Sequence, residues 1–269
     1  MAHYDFMTPL TEAQARALRV NDTVTLEGTL FGIRDATQIH MFDRGRTTRF
    51  DLAGHAVIHT APNVKQVEKS AAHPAGYAPA CVGTTTSDRM ERFTRPLMQQ
   101  YGVRLLIGKG GLRDDSLKAL KELGGAYLAV IGGAAALETT WVEAIEDVDL
   151  DDLHPESLWK FRVRGFGPLV VAMDSHGGSL YAQVKSAAQA RRAAALESLG
   201  KVTANPGEVD LNTATLAWMR TGQIYDLTSR RKQAMEAYRQ AMAVAPEAEA
   251  ARESRRYLSS PYVRKDGTA

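Results

Sequence analysis

The chain of 269 residues has a net charge of +2, 44% hydrophobic residues and one cysteine, Cys81. The near-neutral charge does not favour nucleic acid as a partner. A single cysteine excludes an internal disulfide, and also a metal or iron–sulfur site built from several cysteines of this chain alone. No apolar run approaches the roughly 20 residues that span a bilayer. The N-terminus has no signal-peptide pattern, so we expect a cytoplasmic protein.

The first 80 residues are predicted to contain one helix and two strands. Leu10–Leu18 has helical spacing, with Thr11 as a candidate N-cap. Val24–Ile33 alternates like a half-buried strand, and Ala56–Ala61 is a second strand-like run. Asn63–Ala80 is polar and contains Pro and Gly, so we predict a loop with at most one helical turn.

Three apolar runs then alternate with helical patterns, and each run ends in a loop rich in glycine or hydroxyl groups. The runs are Ala78–Val82, Val103–Ile107 and Tyr127–Ile131. The helices that follow them are predicted at Asp88–Tyr101, Asp114–Leu123 and Ala134–Ala144. This alternation predicts parallel strands with crossover helices, in which Cys81 is buried in the core.

The loops after these runs carry groups that bind anions. Thr85 and Arg89 follow the first run, and Lys109 follows the second. In a parallel sheet the loops at the carboxyl ends of the strands lie along one edge, where ligands bind. Helix starts there add free backbone N–H groups and a partial positive charge. Together these features predict a site for a small carboxylate or phosphate.

The end of this region is predicted to be extended. Ser157–Val163 is strand-like, and Leu169–Met173 is a second strand. Asp174–Gly178 is a predicted turn, with a hairpin partner strand at Ser179–Val184.

Composition changes near residue 185, and we place a boundary there between domains at residues 1–185 and 186–269. Lys and Arg outnumber Asp and Glu in the second part, which has a helical pattern. Seven residues there match the spacing of a tetratricopeptide repeat of about 34 residues, namely Trp218, Gly222, Tyr225, Ala234, Tyr238, Ala241 and Pro246. A lone repeat cannot bury its faces, so it must pack on flanking helices or on a protein partner.

Five segments resemble the β subunit, or C-terminal domain, of class I fumarases and L-tartrate dehydratases. Gly83–Met90 is similar to the family's Gly-Pro-Thr-Thr-Ser-x-Arg-Met, and Ile107–Leu112 to Ile-Gly-Lys-Gly-Gly-Met. Gly132–Leu137 is similar to Gly-Gly-x-Ala-Ala. Gly32–Asp35 and Phe50–Gly54 match two earlier family segments. The order is that of the family, and the resemblance covers about residues 8–185.

The resemblance implies an α/β fold with a swivelling β/β/α domain. The small all-α, tetratricopeptide-like extension that follows is predicted from the repeat spacing and is not part of the family pattern. It implies a hydro-lyase that reversibly hydrates a four-carbon dicarboxylate, fumarate/malate or tartrate. It further implies a partner α subunit whose three cysteines carry a [4Fe–4S] cluster, with no cofactor bound by this chain alone. That division agrees with the single cysteine of this sequence.

The resemblance also implies roles for single residues. It implies five substrate-binding residues, Arg34, Thr86, Arg89, Lys109 and Gly133. Two carboxylates need more than one cation, and arginine offers bidentate geometry. Thr85 becomes the candidate general base at the carbon that loses a proton. A neutral threonine is a poor base, so neighbouring cations or the partner subunit must activate it.

The sequence departs from the family pattern at Thr84, which replaces Pro, and at Gln38, where many members have His. His59 and the other histidines show no metal-ligand spacing and are predicted to be structural or at the surface. Two other functions remain open. In one, the domain has lost catalysis and the helical tail binds a peptide or scaffold protein. In the other, the chain is an anion-binding regulatory domain that needs no α subunit.

Overall fold

The computed structural model describes residues 1–130 and 133–263. The chain divides into two compact units, Met1–Ala182 and Gln183–Ala269. The strands are β1 (His3–Met7), β2 (Thr23–Ile33), β3 (Ala56–His59), β4 (Asn63–Gln66), β5 (Tyr77–Cys81), β6 (Leu105–Gly108), β7 (Ala126–Ala129), β8 (Val142–Asp149) and β9 (Leu158–Met173). The α-helices are α1 (Glu12–Ala17), α2 (Asp35–Phe42), α3 (Thr94–Tyr101), α4 (Asp114–Leu123), α5 (Ala135–Thr140), α6 (Leu180–Ala204), α7 (Leu211–Leu227), α8 (Arg231–Val244) and α9 (Glu249–Ser259). Among the described residues, none of these helices combines the length and apolar character that crossing a membrane requires.

A seven-stranded sheet builds the first unit, in the order β1-β2-β3-β6-β7-β9-β8. β1, β2, β3, β6 and β7 run parallel to one another. β9 is antiparallel to β7 and β8, and it pairs with β2 as well. As a result β2, β3, β6, β7 and β9 form a closed hydrogen-bonded ring.

Both faces of this ring are buried, because successive side chains of a strand point to opposite sides. Leu105 and Ile107 of β6 pack in one cluster with Trp159 of β9. Leu106 packs in a second cluster with Leu120 of α4. Strands buried on two faces read as continuous apolar runs, which is why β3 and β6 show no polar alternation.

Several predicted elements are confirmed. Thr11 caps α1 in a capping box, in which its hydroxyl accepts from the Gln14 backbone N–H and the Gln14 side chain accepts in return. β2 occupies the predicted Val24–Ile33 run with one further residue. α4 spans Asp114–Leu123, as predicted, and ends at Gly124 in the left-handed conformation, with φ +72°. β6 and β7 are parallel neighbours, although Ile131 and Gly132 lie outside the described residues.

The prediction for the first apolar run is wrong. Tyr77–Cys81 forms β5, which pairs antiparallel with β4 in a separate two-stranded sheet. Proline at position 79 has no backbone N–H, and such a residue is excluded from a central strand. β3 takes its place beside β6. The segment predicted as a loop therefore contains a hairpin, and Cys81 is exposed at its end rather than buried.

Four later elements also differ from the prediction. The helix predicted at Ala134–Ala144 ends at Thr140, and β8 follows. The two strand-like segments after residue 157 are one continuous strand, β9. The predicted hairpin strand at Ser179–Val184 is the start of α6, and only Ser179 bridges back to β9. The first part of the helix predicted at Asp88–Tyr101 is a 3₁₀ helix, Ser87–Phe93.

The second unit is helical, and a buried carboxylate links its helices. The side chain of Asp226 on α7 is 1% exposed. It accepts hydrogen bonds from Arg231 Nη1 (3.0 Å), the Tyr238 hydroxyl (2.9 Å) and the Tyr262 backbone N–H (2.8 Å). Arg231 Nη2 also donates to the carbonyl oxygen of Tyr257 at 2.7 Å. One carboxylate thus joins α7 and α8 to the segment that follows α9.

We expect Asp226→Ala to lower the free energy of unfolding of the helical unit by about 3 kcal/mol, because it removes a buried acceptor shared by the half-buried Arg231, the Tyr238 hydroxyl and the Tyr262 N–H. Hydrogen exchange followed by mass spectrometry measures this directly. Protection of α7, α8 and α9 should fall, whereas peptides of β6 should keep theirs. Glu236→Ala is the control, since Glu236 forms an exposed pair with Arg239. Equal protection in the two variants would contradict the prediction.

Candidate functional site

The two central motifs meet where β3 and β6 end side by side. The Thr85 backbone N–H donates to the His59 carbonyl oxygen at the end of β3 (2.7 Å). On the other side, the Lys109 N–H donates to the Thr85 carbonyl oxygen (3.4 Å), and the Ser87 N–H donates to the Lys109 carbonyl oxygen (2.9 Å). Thr86 forms a parallel bridge with Lys109. The Thr85–Ser87 segment is thus held between the two strand ends.

Two arginines converge on one carboxylate beside this segment. Arg89, on the 3₁₀ helix, places Nη2 2.9 Å and Nε 3.3 Å from the carboxylate of Asp35. Arg34, the residue before α2, places Nε 3.5 Å from the same carboxylate and 3.3 Å from that of Glu156. Burial acts to raise the pKa of Asp35, but the hydrogen bond from Arg89 and the two positive charges outweigh it and keep this pKa below its ordinary value.

Both arginines keep donors that these carboxylates do not use. The Arg34 Nε atom is buried and makes no hydrogen bond within residues 1–130 and 133–263, although Glu156 is close. Arg89 Nη2 also donates to the Thr85 hydroxyl oxygen at 3.3 Å. A guanidinium has five N–H donors in a fixed plane, so Arg89 retains its Nη1 group for a further partner. The threonine hydroxyl therefore lies next to a permanent positive charge.

Lys109 faces a different environment. In the part of the chain that the structure describes, no carboxylate lies within 4.0 Å of its ammonium group. Glu138 of α5, which is 1% exposed, accepts a hydrogen bond from the Thr84 backbone N–H (3.1 Å). Burial raises the pKa of Glu138 to about 7, although this hydrogen bond and the charge of Lys109 act against the rise. Near neutral pH, Glu138 therefore exists in both protonation states.

α5 is packed against the loop that carries Thr84 and Thr85. A Cβ atom on Gly83 would lie 2.5 Å from Cβ of Ala135, so only glycine allows this approach. The Val82 backbone N–H donates to the Thr139 hydroxyl at 2.8 Å. The third glycine motif is therefore connected to the site through α5.

The structure brings most of the predicted site residues together, namely Arg34, Thr85, Thr86, Arg89 and Lys109. Thr86 precedes the 3₁₀ helix and makes no capping hydrogen bond with its side chain. Gly133 lies in an exposed turn before α5, with φ +89°, and no atom would lie within 4 Å of a Cβ placed on it. Gly132, the other glycine of its motif, lies outside the described residues.

Sequence reasoning missed three carboxylates of this site. Asp35 lies inside a recognised motif but was given no role, and it is the group on which both arginines converge. Glu138 was detectable as the one acid that follows four apolar residues at the start of a helical segment. Glu156 gives no local signal, because only the fold brings it next to Arg34. Within the described residues, no group of three or more His, Cys, Asp or Glu could hold a metal ion.

The site thus combines clustered cationic side chains with one adjacent hydroxyl. The family model of the fumarase C-terminus matches residues 2–184. The chain belongs to the fumarase C-terminus family. This confirms the resemblance seen in the motifs, and the family match ends before the helical extension.

Relatives of this fumarase C-terminus chain include both enzymes that the motifs suggested. It is 39% identical over 178 residues to a putative fumarate hydratase class I of Geobacillus stearothermophilus, covering 66% of this chain and 33% of that protein. It is 35% identical over 193 residues to the L(+)-tartrate dehydratase subunit beta of Escherichia coli strain K12, covering 71% of this chain and 93% of that subunit. A putative L(+)-tartrate dehydratase subunit beta of Methanocaldococcus jannaschii is 36% identical over 180 residues, or 65% of this chain and 89% of that protein. The chain thus spans a third of the Geobacillus protein and nearly all of the beta subunits.

We expect Glu138→Gln to stabilise the chain above pH 7 and to leave its stability unchanged near pH 4.5. The folded state holds the Glu138 proton up to a pKa of about 7, whereas the ordinary value is 4.5. Ionisation in the unfolded state therefore reduces stability as pH rises between these values, by about 3 kcal/mol in total. Glutamine cannot ionise and still accepts from Thr84.

Urea unfolding at pH 5 and at pH 8 measures this difference. Asp35 and other carboxyls with lowered pKa values lose their contribution only below about pH 4, outside this window. Glu143→Gln is the control, because Glu143 is a partly exposed carboxylate paired with Arg164. A wild-type minus Glu138→Gln difference that does not change between the two pH values would refute the assignment.

Proposed function

We propose that this chain is the β subunit of an iron–sulfur-dependent hydro-lyase that reversibly hydrates a four-carbon dicarboxylate. Fumarate/malate is the first candidate substrate, and tartrate the second. The observation that carries the proposal is the Thr85 hydroxyl, which lies 3.3 Å from the Arg89 guanidinium and on the same backbone ladder as Lys109. Membership of the fumarase C-terminus family supports it.

The cations of the site suit a substrate with two carboxylates. Arg34, Arg89 and Lys109 come from three separate segments, so they can contact different ends of one small molecule. Asp35 holds Arg89 in a fixed orientation through two hydrogen bonds and lies 3.5 Å from Arg34. A preformed guanidinium loses less entropy when it binds a carboxylate. Lys109 adds a point charge. We propose Thr86 and Gly133 as lesser contributors to the same binding.

Thr85 is proposed as the group that removes the proton from carbon. Its hydroxyl oxygen accepts from Arg89, and a neighbouring positive charge favours the deprotonated form of a hydroxyl. In the reverse direction Thr85 returns the proton. Its backbone is fixed at both its N–H and its carbonyl oxygen, which limits how far the hydroxyl can move.

The proposed cofactor belongs to the partner. In the described residues no suitable group of metal ligands exists, and the one cysteine, Cys81, is exposed at the end of β5. A [4Fe–4S] cluster on the α subunit would supply a Lewis-acidic iron for the substrate hydroxyl. Activity would then require both subunits, with this chain binding and orienting the dicarboxylate.

We also propose that residues 1–185 form a swivelling β/β/α domain and that the tail is a tetratricopeptide-like module that binds a protein. The packing of α7 on α8 supports the second idea, because Gly222 leaves space that the Tyr238 ring fills. Ala234 and Ala241 are fully buried in the same cluster. The family model does not extend into this region, so the tail would add a partner to the enzyme rather than a catalytic group.

We expect activity only from the pair of subunits, and a loss of about 10²- to 10³-fold in kcat/KM for Arg89→Ala or Lys109→Ala, since each removes a charged partner of a substrate carboxylate. The measurement is anaerobic co-purification with the cluster-bearing α subunit, followed by assays of fumarate hydration and tartrate dehydration. The chain alone should be colourless and inactive.

Two matched variants control for general effects of lost charge. Arg92→Ala removes an arginine of the same 3₁₀ helix that pairs with Asp43 as Arg89 pairs with Asp35. Lys118→Ala removes an exposed lysine of α4. Both should keep wild-type activity. A stable pair without turnover on either substrate would reject the proposal in favour of an inactive interaction protein.

A further inference from the structure

Beneath the site lies a buried hydrogen-bond network of three polar side chains. His59 Nδ1 lies 2.8 Å from Ser87 Oγ, and Ser87 Oγ lies 3.0 Å from the Tyr127 hydroxyl. His59 is 1% exposed, and Ser87 and Tyr127 are 0% exposed. The three residues belong to β3, the start of the 3₁₀ helix and β7. This network therefore joins three elements that are separate in sequence.

The network lies directly next to the backbone of the Ile107–Leu112 motif, which contains Lys109. A Cβ atom on Gly108 would overlap Ser87 Oγ, and it would lie 3.1 Å from the Tyr127 hydroxyl and 3.3 Å from His59 Nδ1. Any side chain at Gly108 would displace these polar groups. Glycine is required here because three polar side chains occupy the space beside the residue that precedes Lys109.

All three groups are uncharged at neutral pH. Burial lowers the pKa of His59 to about 4, and the nearby Arg89 lowers it as well, against the charge of Asp35. Burial raises the pKa of Tyr127, so its hydroxyl stays protonated. The other ring nitrogen of His59, Nε2, is buried and makes no hydrogen bond within the described residues. In the part of the chain that the structure describes, Ser87 is thus the one side chain hydrogen-bonded to the imidazole, and it fixes the orientation of the ring.

Backbone bonds carry this arrangement into the site. The same His59 accepts from the Thr85 N–H through its carbonyl oxygen, and the same Ser87 donates through its N–H to the Lys109 carbonyl oxygen. The Thr84 hydroxyl also donates to the His59 carbonyl oxygen, at 3.3 Å. A shift of Ser87 relative to β3 would therefore move Thr85 and Lys109 with respect to each other.

We propose that His59, Ser87 and Tyr127 are positioning residues that fix the placement of Thr85 relative to Lys109, and so align the base with the bound dicarboxylate. The inference rests on the proposed function of that site. None of the three touches the reacting atoms. Removing the Ser87 hydroxyl leaves the buried Nδ1 of His59 without its partner and takes one hydrogen-bond partner from the Tyr127 hydroxyl. An unpaired buried polar group is unfavourable, so the surrounding backbone relaxes. That relaxation is what misaligns the site.

The test compares Ser87→Ala and Tyr127→Phe with two control variants in the reconstituted pair. Ser175→Ala removes a buried hydroxyl that has no hydrogen-bond partner in the described residues. Tyr101→Phe removes the hydroxyl of a half-buried tyrosine outside the network. We expect kcat to fall about 10- to 100-fold in both network variants, with KM changed less than threefold, because misplacement by about 1 Å costs up to 10²-fold in rate. Both controls should match the wild type.

The double variant Ser87→Ala/Tyr127→Phe gives a second readout. Once the network is broken at Ser87, loss of the Tyr127 hydroxyl should lower kcat little further, so the two effects on kcat should not add. Hydrogen exchange of the chain alone gives a third, in which the Thr85 and Lys109 amides should exchange faster only in the network variants. If Ser87→Ala does not fold, Tyr127→Phe keeps its ring and carries the test.

The outcomes separate this inference from the proposed function. An inactive wild-type pair rejects the proposed function and with it the positioning role. An active wild-type pair in which the network variants match the controls rejects the positioning role alone. Additive losses that appear in KM rather than in kcat would also overturn it, since they would indicate a change in binding of the substrate carboxylates.

Discussion

The parallel pairing of β3 with β6 is the constraint on which the site depends. Because both strands end at the same edge, the segment that begins at Thr85 lies between the His59 carbonyl oxygen on one side and the Lys109 backbone on the other. A threonine hydroxyl and a lysine from different loops thereby share one backbone ladder. The ladder fits only because Gly108 has no side chain, which leaves room for the polar groups packed beneath it.

Two carboxylates, Asp35 and Glu138, determine how much of the positive charge of the arginines and Lys109 is neutralised at this site. Asp35 is held ionised by Arg89 and Arg34, and in return its two hydrogen bonds fix the plane of the Arg89 guanidinium. Glu138 has the opposite tendency, since burial favours its neutral form and leaves the charge of Lys109 less opposed. Two acids close to one site are thus pushed in different directions by their surroundings. This separation of protonation states is common where proteins bind or transform charged ligands.

The sequence predicted the parts of the molecule that local pattern controls. β2, α1 and α4 follow from alternation, a capping residue and a terminal glycine, and the cationic site residues follow from the motifs that carry them. The hairpin of β4 and β5 is not predicted because its Pro and Gly content is typical of a loop. The start of β8 at Val142 is not predicted because no Gly or Pro separates it from the helical pattern before it. Glu156 and the hydrogen bond between His59 and Ser87 depend on contacts between distant segments. Burial, which decides the state of Glu138, is likewise a property of the fold and not of the local pattern.

The exposed thiol of Cys81 gives the molecule a built-in attachment point. It is the sole cysteine of the sequence, and it ends β5 four residues before Thr85. A maleimide fluorophore or nitroxide would therefore react at one known position of the unaltered chain. Its emission or line shape would respond to changes in the hairpin that leads into the threonine loop. The chain can thus report, without any engineered mutation, whether a second protein or a small anion has reached this part of its surface.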